Sequence, residues 1–462
     1  MNTLTLGEVA RMAGGTIEGP VELRIERVGT DSRAIGHGEL FVAIRGPRYD
    51  GHAFVAAAQN GGSVAAMVER GAEIGAPGMP RVVVDDTLIG LQRLAAAYRA
   101  RLGMRTVAVT GSSGKTSTKD MTGAVLGAAM PVVMTQGNFN NHLGVPLSLL
   151  QAGYEHAAGV FELGMNHPGE IAPLARMIRP EVAVVTNVGT AHIEFMGSRA
   201  AIAREKGSVL AALPPTGLAI IPAEDEFLEA LAGMAGGARV FLTGIEKGDL
   251  RAEQVMQRPD GCGFIIRHHG ERVPAELPVP GLHMVRNALM AVAVGLHFGL
   301  GLEACARALS RTAIAHGRLS RRSLRGAVVL DDSYNANPES VLAALETLAQ
   351  VPTRGRRIAV LGQMGELGEE SRAGHVRVGE AAARSGLTVL IAVGGDAGWI
   401  AEAARAAPRS GGGDLSEIHH VPDTAGAAVL LGEFLRPGDL VLVKGSRSMR
   451  MEKILEALEE KD

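Results

Sequence analysis

Short apolar runs recur along the chain, each closed by a polar or glycine-rich turn. Runs at 41–44, 65–68 and 81–84 lie among glycine-rich turns and predict short strands of a small mixed α/β block. A helix over 91–102 then leads into an apolar run at 106–110, and further runs follow at 132–134, 159–161, 182–185 and 218–221. Helix-compatible stretches separate them. Apolar runs that alternate with helices are the mark of a parallel sheet covered on both faces. Residues 280–302 predict a helix that ends this second block. The alternation resumes after His316, with strands at 327–330, 358–361, 388–393 and 440–443 and helices at 340–348 and 451–458, a second doubly wound sheet. The expected architecture is α/β in three domains: a mixed domain over 1–84, a central parallel-sheet domain over 85–315, and a Rossmann-like domain over 316–462. Gly411-Gly-Gly413 reads as a surface loop, and no short-period repeat is present.

The junction after the 106–110 run carries the strongest chemical signal. Thr110-Gly-Ser-Ser-Gly-Lys-Thr-Ser117 stands between a predicted strand and a predicted helix, the context that makes a glycine loop a phosphate cradle. Gly111 and Gly114 let the backbone wind tightly, so that the N–H groups of Ser112, Ser113 and the residues after them point at an anion. The helix that begins near Lys115 adds its positive end. Lys115 is placed to reach terminal phosphates, and the hydroxyls of Thr116 and Ser117 to reach Mg²⁺ or phosphate. The chain is expected to bind a nucleoside triphosphate, ATP.

Composition narrows the setting. A length of 462 residues suits about three domains at roughly 150 residues each. Hydrophobic residues at 46% and charged ones at 21% are ordinary for a soluble globular protein, and a net charge of −3 provides no basic footprint for nucleic acid. The first residues lack the apolar block of a signal peptide, and the apolar stretch 288–302 is interrupted by His297 and glycines. Cys262 and Cys305 have no metal-like spacing and read as reduced structural thiols. A cytoplasmic protein with small-molecule partners and no stable membrane insertion is expected.

Other polar groups follow the strands, where open α/β sheets bind ligands. Glu162 leaves the 159–161 run and is a candidate to hold Mg²⁺, the alternative being a surface Glu at the next helix. His192 follows the 182–185 run, a metal ligand or proton carrier on one reading and a structural histidine on the other. Lys206, taken alone, reads as an exposed helix lysine. Gly137-Asn-Phe-Asn-Asn-His142 offers amides from Asn138, Asn140 and Asn141 to sugar hydroxyls or phosphate, or else makes a self-satisfied turn. Asp331-Asp-Ser-Tyr-Asn-Ala-Asn-Pro338 supplies Asp332 for ribose, Tyr334 for stacking and Asn335 for base edges. Asn287 and Arg318 flank the block boundary, and Arg318 suits a phosphate. Lys444, Ser446 and Arg447 end the last strand as an anion grip or a solvated loop.

Together these segments resemble the Mur ligase family of peptidoglycan synthesis. Thr30-Asp-Ser-Arg33 and Asp50-Gly-His52 are similar to its N-terminal uridine-nucleotide domain, residues 110–117 to its ATP loop, and 137–146 to its Gly-Asn-x-Asn-Asn…Gly-Val-Pro segment. The 331–338 stretch resembles the branch that joins D-alanyl-D-alanine to UDP-N-acetylmuramoyl-tripeptide. The resemblance implies ATP-dependent amide formation through an acyl phosphate. It implies that Thr116 and Glu162 hold one Mg²⁺, and that His192 serves a second with Lys206 as a carbamate. Lys115, Glu162, His192 and Lys206 would be the catalytic set. Asn287, Asp332 and Tyr334 would bind adenosine, Arg318 the phosphates, and Ser32, Arg33, Asp50 and His52 the uridine nucleotide. A monomer is expected. The chain departs from the usual family pattern at Gln363, at Glu205-Lys-Gly-Ser208 and at Pro222-Ala-Glu-Asp225.

Three other readings compete. The diaminopimelate-adding sibling carries an Asp-Asn-Pro-Arg loop, which occurs nowhere here. Folylpolyglutamate synthetase shares the ATP loop without needing the Asp-Ser-Arg segment. A nucleotide-dependent switch needs the loop but no acceptor, so acceptor dependence separates it from a ligase.

Overall fold

The computed structural model describes residues 1–408 and 415–460. The 411–413 glycines lie outside the described residues. The first block builds a five-stranded sheet in the order Thr16–Glu18, Arg81–Val84, Ala65–Glu69, Glu39–Val42 and Arg27–Gly29, parallel except at the first pair. Helix Thr87–Arg99 starts four residues earlier than 91, where the Asp86 side chain caps it by accepting from the Ile89 N–H. It packs on helix Leu6–Ala13 and also on central-block helices, so one apolar cluster joins the first two blocks.

The central sheet has nine strands. Strand Arg105–Thr110, which feeds the phosphate loop, lies between Ala158–Glu162 and Val182–Val185, all parallel. Val132–Met134 flanks one side, Leu218–Pro222 and Arg239–Gly244 the other. Apart from Arg105, every residue of the three middle strands is buried, which is why each reads as an unbroken apolar run.

The expectation of a purely parallel central sheet is corrected here. Leu250–Arg258 continues it in parallel, but Gly261–His268 and Glu271–Leu277 add antiparallel edge strands. Glu271–Leu277 alternates buried and exposed positions with one face solvated and carries no continuous apolar signal, while Gly261–His268 is mostly buried but is opened by two glycines and closed by Arg267 and His268. The 280–302 helix also resolves into Leu282–His297 and a separate helix Leu302–Leu309, broken at Gly299 and Gly301.

The third block is a six-stranded sheet in the order Ser320–Leu324, Ala327–Asp332, Leu440–Lys444, Arg357–Gly362, Val389–Val393 and Glu417–Val421. Only its first pair is antiparallel. Helix Leu282–His297 is buried on nearly every side. It packs against the phosphate-loop helix Lys115–Gly127 and touches helix Pro338–Gln350 of the third block. Its Leu289 is 0% exposed, and truncation to Ala would cost about 2–5 kcal/mol. This shared core sets the strand ends of two sheets against one cleft.

Candidate functional site

The phosphate loop is shaped by two glycines that no other residue can replace without movement. Gly111 has φ 152°, and a Cβ there would sit 1.7 Å from Thr186 Oγ1. Gly114 has φ 79°, and its Cβ would lie 2.7 Å from Asn287 Oδ1. The loop is thus pressed against the strand end on one side and the buried helix on the other. Helix Lys115–Gly127 starts at Gly114 with no side-chain cap, so its first N–H groups are free for an anion.

A cavity of about 410 Å³ opens over this loop. It brings together Ser112, Ser113, Gly114, Lys115, Thr116 and Ser117 with Glu162, His192 and Asn287 from the central block. Arg318, Asp332, Tyr334, Asn335, Lys444 and Arg447 close it from the third block, and Asn138, Asn140 and Asn141 line its rim. Lys115 Nζ donates to Gly111 O at 2.8 Å. Burial lowers its pKa and Arg318 adds to this, while Glu162 opposes it. Two cations facing one cavity call for an anion between them.

Glu162 is 2% exposed, which removes the surface alternative. Its Oε2 accepts from Thr116 Oγ1 at 2.7 Å and its Oε1 from Asn140 Nδ2 at 2.8 Å. A hydroxyl, a carboxylate and amide oxygens make a hard donor set of the kind Mg²⁺ takes. Among the described residues no three His, Cys, Asp or Glu side chains form a ready metal cluster. His192 has φ 64° and lies with Nδ1 2.6 Å from Glu366 Oε2 of the third block, which leaves Nε2 for a ligand.

Lys206 is 1% exposed, not the solvated lysine its helix pattern suggests. No hydrogen bond or ion pair reaches its amine among the described residues. Burial, then the like charge of Lys115, holds its pKa well below the ordinary lysine value, with Glu205 opposing. Both effects favour loss of the proton, and a deprotonated amine is the form that adds CO₂; a carbamate there would replace a repelled cation with an oxygen ligand. The neighbouring Glu205 carboxylate instead accepts from the N–H groups of Gly169 and Ile171, each at 2.8 Å, and steadies the loop bearing Met165, Asn166 and Glu170.

In the third block, Arg318 stacks on the Tyr334 ring at 4.5 Å and Arg447 stands 5.8 Å from it. Asp332, its side chain 13% exposed, has its carboxyl pKa raised by desolvation, against the pull of Lys444. Lys444 Nζ donates to Asp332 Oδ2 at 2.6 Å and to Asn335 O at 2.9 Å. Lys444 therefore braces the loop after strand Ala327–Asp332 while still lining the cavity, and Ser446, 5% exposed, lies against Ser448 Oγ at 3.0 Å. Arg447 is the exposed member of that trio. Asn141 spends its Oδ1 on the N–H groups of Leu143 and Gly144, a local cap.

The N-terminal candidates do not reach the cavity. Arg33 is exposed and paired with Asp31 at 2.7 Å; Ser32 is half-buried. His52 is buried with Nδ1 2.6 Å from Asp50 Oδ1 and Nε2 accepting from Glu69 N at 2.9 Å. Both its ring nitrogens are committed to the fold. Sequence reasoning missed His283, buried in the cavity wall, whose pKa burial pushes down to about 3. It also missed Asn187, which clasps Ser113 through Oδ1 and Nδ2 at 3.1 Å each. The strand-end position of Asn187 was the available signal. His283 gave none, since it sits in an apolar helix.

Comparison with known proteins agrees with this geometry. Family models match over most of the chain: "Mur ligase family, catalytic domain" at 24–99, "Mur ligase middle domain" at 109–295 and "Mur ligase, glutamate ligase domain" at 317–447. The chain belongs to the Mur ligase family. Among its relatives, UDP-N-acetylmuramoyl-tripeptide–D-alanyl-D-alanine ligase of Escherichia coli K12 is 37% identical, the match covering 100% of this chain and 99% of the relative. The crystal structure of MurF from Acinetobacter baumannii is similar with a TM-score of 0.90 at 34% identity, covering 100% and 99% of the two chains. MurF ligase from Thermotoga maritima in complex with ADP aligns with a TM-score of 0.83 at 28% identity, over 95% and 99%. In this Mur ligase the ATP loop follows strand Arg105–Thr110, the seventh of the nine in the central sheet, with a parallel neighbour on each side.

Proposed function

We propose that this chain is the ATP-dependent ligase that joins D-alanyl-D-alanine to UDP-N-acetylmuramoyl-tripeptide in peptidoglycan precursor synthesis. The observation that carries the reading is the single cavity in which phosphate-loop residues, Glu162 and the Arg318–Tyr334 pair from another block face one another. Likeness to the D-alanyl-D-alanine-adding enzymes over the full chain supports the substrates. The ADP complex of a structural relative supports the nucleotide. The relatives' whole length is matched, so the three blocks take three tasks: 1–84 the uridine nucleotide, 85–315 the triphosphate, and 316–462 adenosine and the incoming dipeptide.

Lys115 and the uncapped N–H groups of its helix hold the β- and γ-phosphates, and Arg318 approaches from the other side. Tyr334 and Asn287 bound the adenosine, with Asp332 held by Lys444 toward the ribose. Thr116 and Glu162 would hold one Mg²⁺, and His192 with carbamylated Lys206 a second; bound there, the ions supply charge neutralisation at the phosphoryl oxygens. The tripeptide's terminal carboxylate oxygen attacks the γ-phosphorus and ADP leaves. The free amine of D-alanyl-D-alanine then adds to the acyl carbon, loses a proton, and expels phosphate as the amide forms. Lys115 stabilises the charge that builds on the transferring group. Asn138 and Asn140 stand at the rim where the tripeptide would enter, and Ser32, Arg33 and Asp50 remain the uridine-nucleotide candidates.

The working unit is proposed to be a monomer. No described helix is long and apolar enough to cross a membrane. ATP and nucleotide-linked substrates support a cytoplasmic site. A phosphate-release assay over a panel of acceptor amines, with and without the uridine-linked tripeptide, tests the reading. Release is expected only with the tripeptide and D-alanyl-D-alanine together; equal turnover without acceptors would leave a nucleotide switch.

A further inference from the structure

The loop that follows strand Val182–Val185 touches both halves of the cleft. On one side it clasps the phosphate loop. Thr186 Oγ1 donates to Ser113 O at 2.5 Å, Asn187 O accepts from Ser112 N at 3.1 Å, and Ser112 Oγ accepts from Gly189 N at 2.8 Å. On the other side the next residue reaches the third block. Glu339 Oε2 accepts from Thr190 N at 3.1 Å and from Thr190 Oγ1 at 2.8 Å. Gly189 makes this approach possible, since a Cβ there would stand 2.9 Å from the same Oε2. A second contact runs alongside, with Glu366 O accepting from Glu194 N at 3.4 Å.

We propose that Glu339 is a positioning residue that, through Thr190, holds the third block in register with the phosphate loop for phosphoryl transfer. This rests on the ligase reading above. Glu339 stands on the second residue of helix Pro338–Gln350, directly after the 332–337 loop that lines the cavity. Its carboxylate therefore spans the short distance between the two segments that must grip one nucleotide. Its other oxygen accepts from Arg377 at 2.6 Å within the third block, which fixes the side chain before Thr190 arrives. Burial pushes its carboxyl pKa up, yet the Arg377 and Thr190 donors outweigh that and the net shift is downward, so it meets Thr190 as an anion. A carboxylate that served only its own helix and Arg377 would not need both donors of a residue in another block. Displacement of reacting groups by about 1 Å can cost about a hundredfold in rate, so a contact that fixes the separation of the two grips acts on turnover.

The test uses the full chain with Thr190→Val, Glu339→Ala and the double variant. Glu339→Ala is expected to lower kcat about tenfold, and Thr190→Val, which loses the hydroxyl bond and keeps the backbone one, several-fold, each with KM for ATP within threefold and an unchanged thermal midpoint. The double variant should fall no further than Glu339→Ala alone, because the bond that Thr190→Val removes is one of the two that Glu339→Ala removes. Small-angle scattering with adenylyl imidodiphosphate and the uridine-linked tripeptide should compact the wild type and not Thr190→Val. Turnover of Thr190→Val within twofold of wild type would overturn the proposal, as would losses that multiply or an equal compaction of both proteins. If Glu339→Ala does not fold, the near-isosteric Thr190→Val decides alone. A wild type that compacts but releases no phosphate with both acceptors would sink the ligase reading, and the scattering comparison would still decide the role of Glu339.

Discussion

Replacing Glu162 by Gln separates the site's chemistry from its folding. The side chain is 2% exposed and meets Thr116 at 2.7 Å and Asn140 at 2.8 Å. A Gln of the same shape can keep both contacts: with its oxygen toward Thr116 the Asn140 amide flips, and with its NH₂ toward Thr116 the hydroxyl turns to accept. Exchanging two charge-assisted hydrogen bonds for neutral ones loses up to about 2 kcal/mol. Removing a buried charge returns several kcal/mol of desolvation. The thermal midpoint should therefore hold or rise. Catalysis has no such compensation, because on the proposed reading the carboxylate would be the anionic oxygen ligand for Mg²⁺ beside Lys115. Loss of one preorganised electrostatic group costs about 3–4 kcal/mol of the barrier, roughly 10²–10³ in rate. Phosphate release with both acceptors, read beside a thermal melt, checks both halves. Turnover within tenfold of wild type would refute the reasoning, and so would activity lost only in step with unfolding.

Lys115→Ala should abolish amide formation while the protein stays folded, and near-normal turnover would remove Lys115 from the site. Lys206→Ala should also inactivate, with partial rescue by added short carboxylates; labelled bicarbonate should give a carbamyl carbon resonance in wild type and none in the variant. His283, held neutral down to about pH 3, takes up no proton in the folded state where the unfolded chain does so near its ordinary value of 6.5. The unfolded state then binds more protons between these values, so stability falls as pH drops through that window. His283→Gln should flatten this part of the acid-unfolding curve, and an unchanged slope would count against a buried neutral ring. Burial raises the thiols of Cys262 and Cys305 to about 12 and about 11, so neither should react with a thiol reagent until the chain is unfolded, when both should.

Much of the fold was legible because buried parallel strands leave unbroken apolar runs. Val182–Val185 was read at its observed bounds for that reason. The antiparallel edge was not: one solvated face dilutes the pattern in Glu271–Leu277, and glycines at 261 and 263 interrupt it in Gly261–His268. In the site, spacing alone was enough for residues held by local backbone, from Gly111 to Ser117. It failed where a side chain's surroundings come from distant segments. Lys206 looks solvated on its own helix and is buried by the rest of the sheet. Lys444 looks like a free cation after its strand and is consumed by Asp332, 112 residues away. Glu205 and Asp225 belong to segments that depart from the usual family pattern. They hold backbone N–H groups of the cleft loops, Asp225 that of Val188 at 3.0 Å, work that no local motif announces.

The central claim is that the cleft converts the tripeptide's carboxylate into an acyl phosphate before the amine attacks. Uridine-linked tripeptide labelled with ¹⁸O in that carboxylate should, after turnover with ATP and D-alanyl-D-alanine, deliver one labelled oxygen to the released phosphate. Phosphate free of label, with the amide formed all the same, would contradict it.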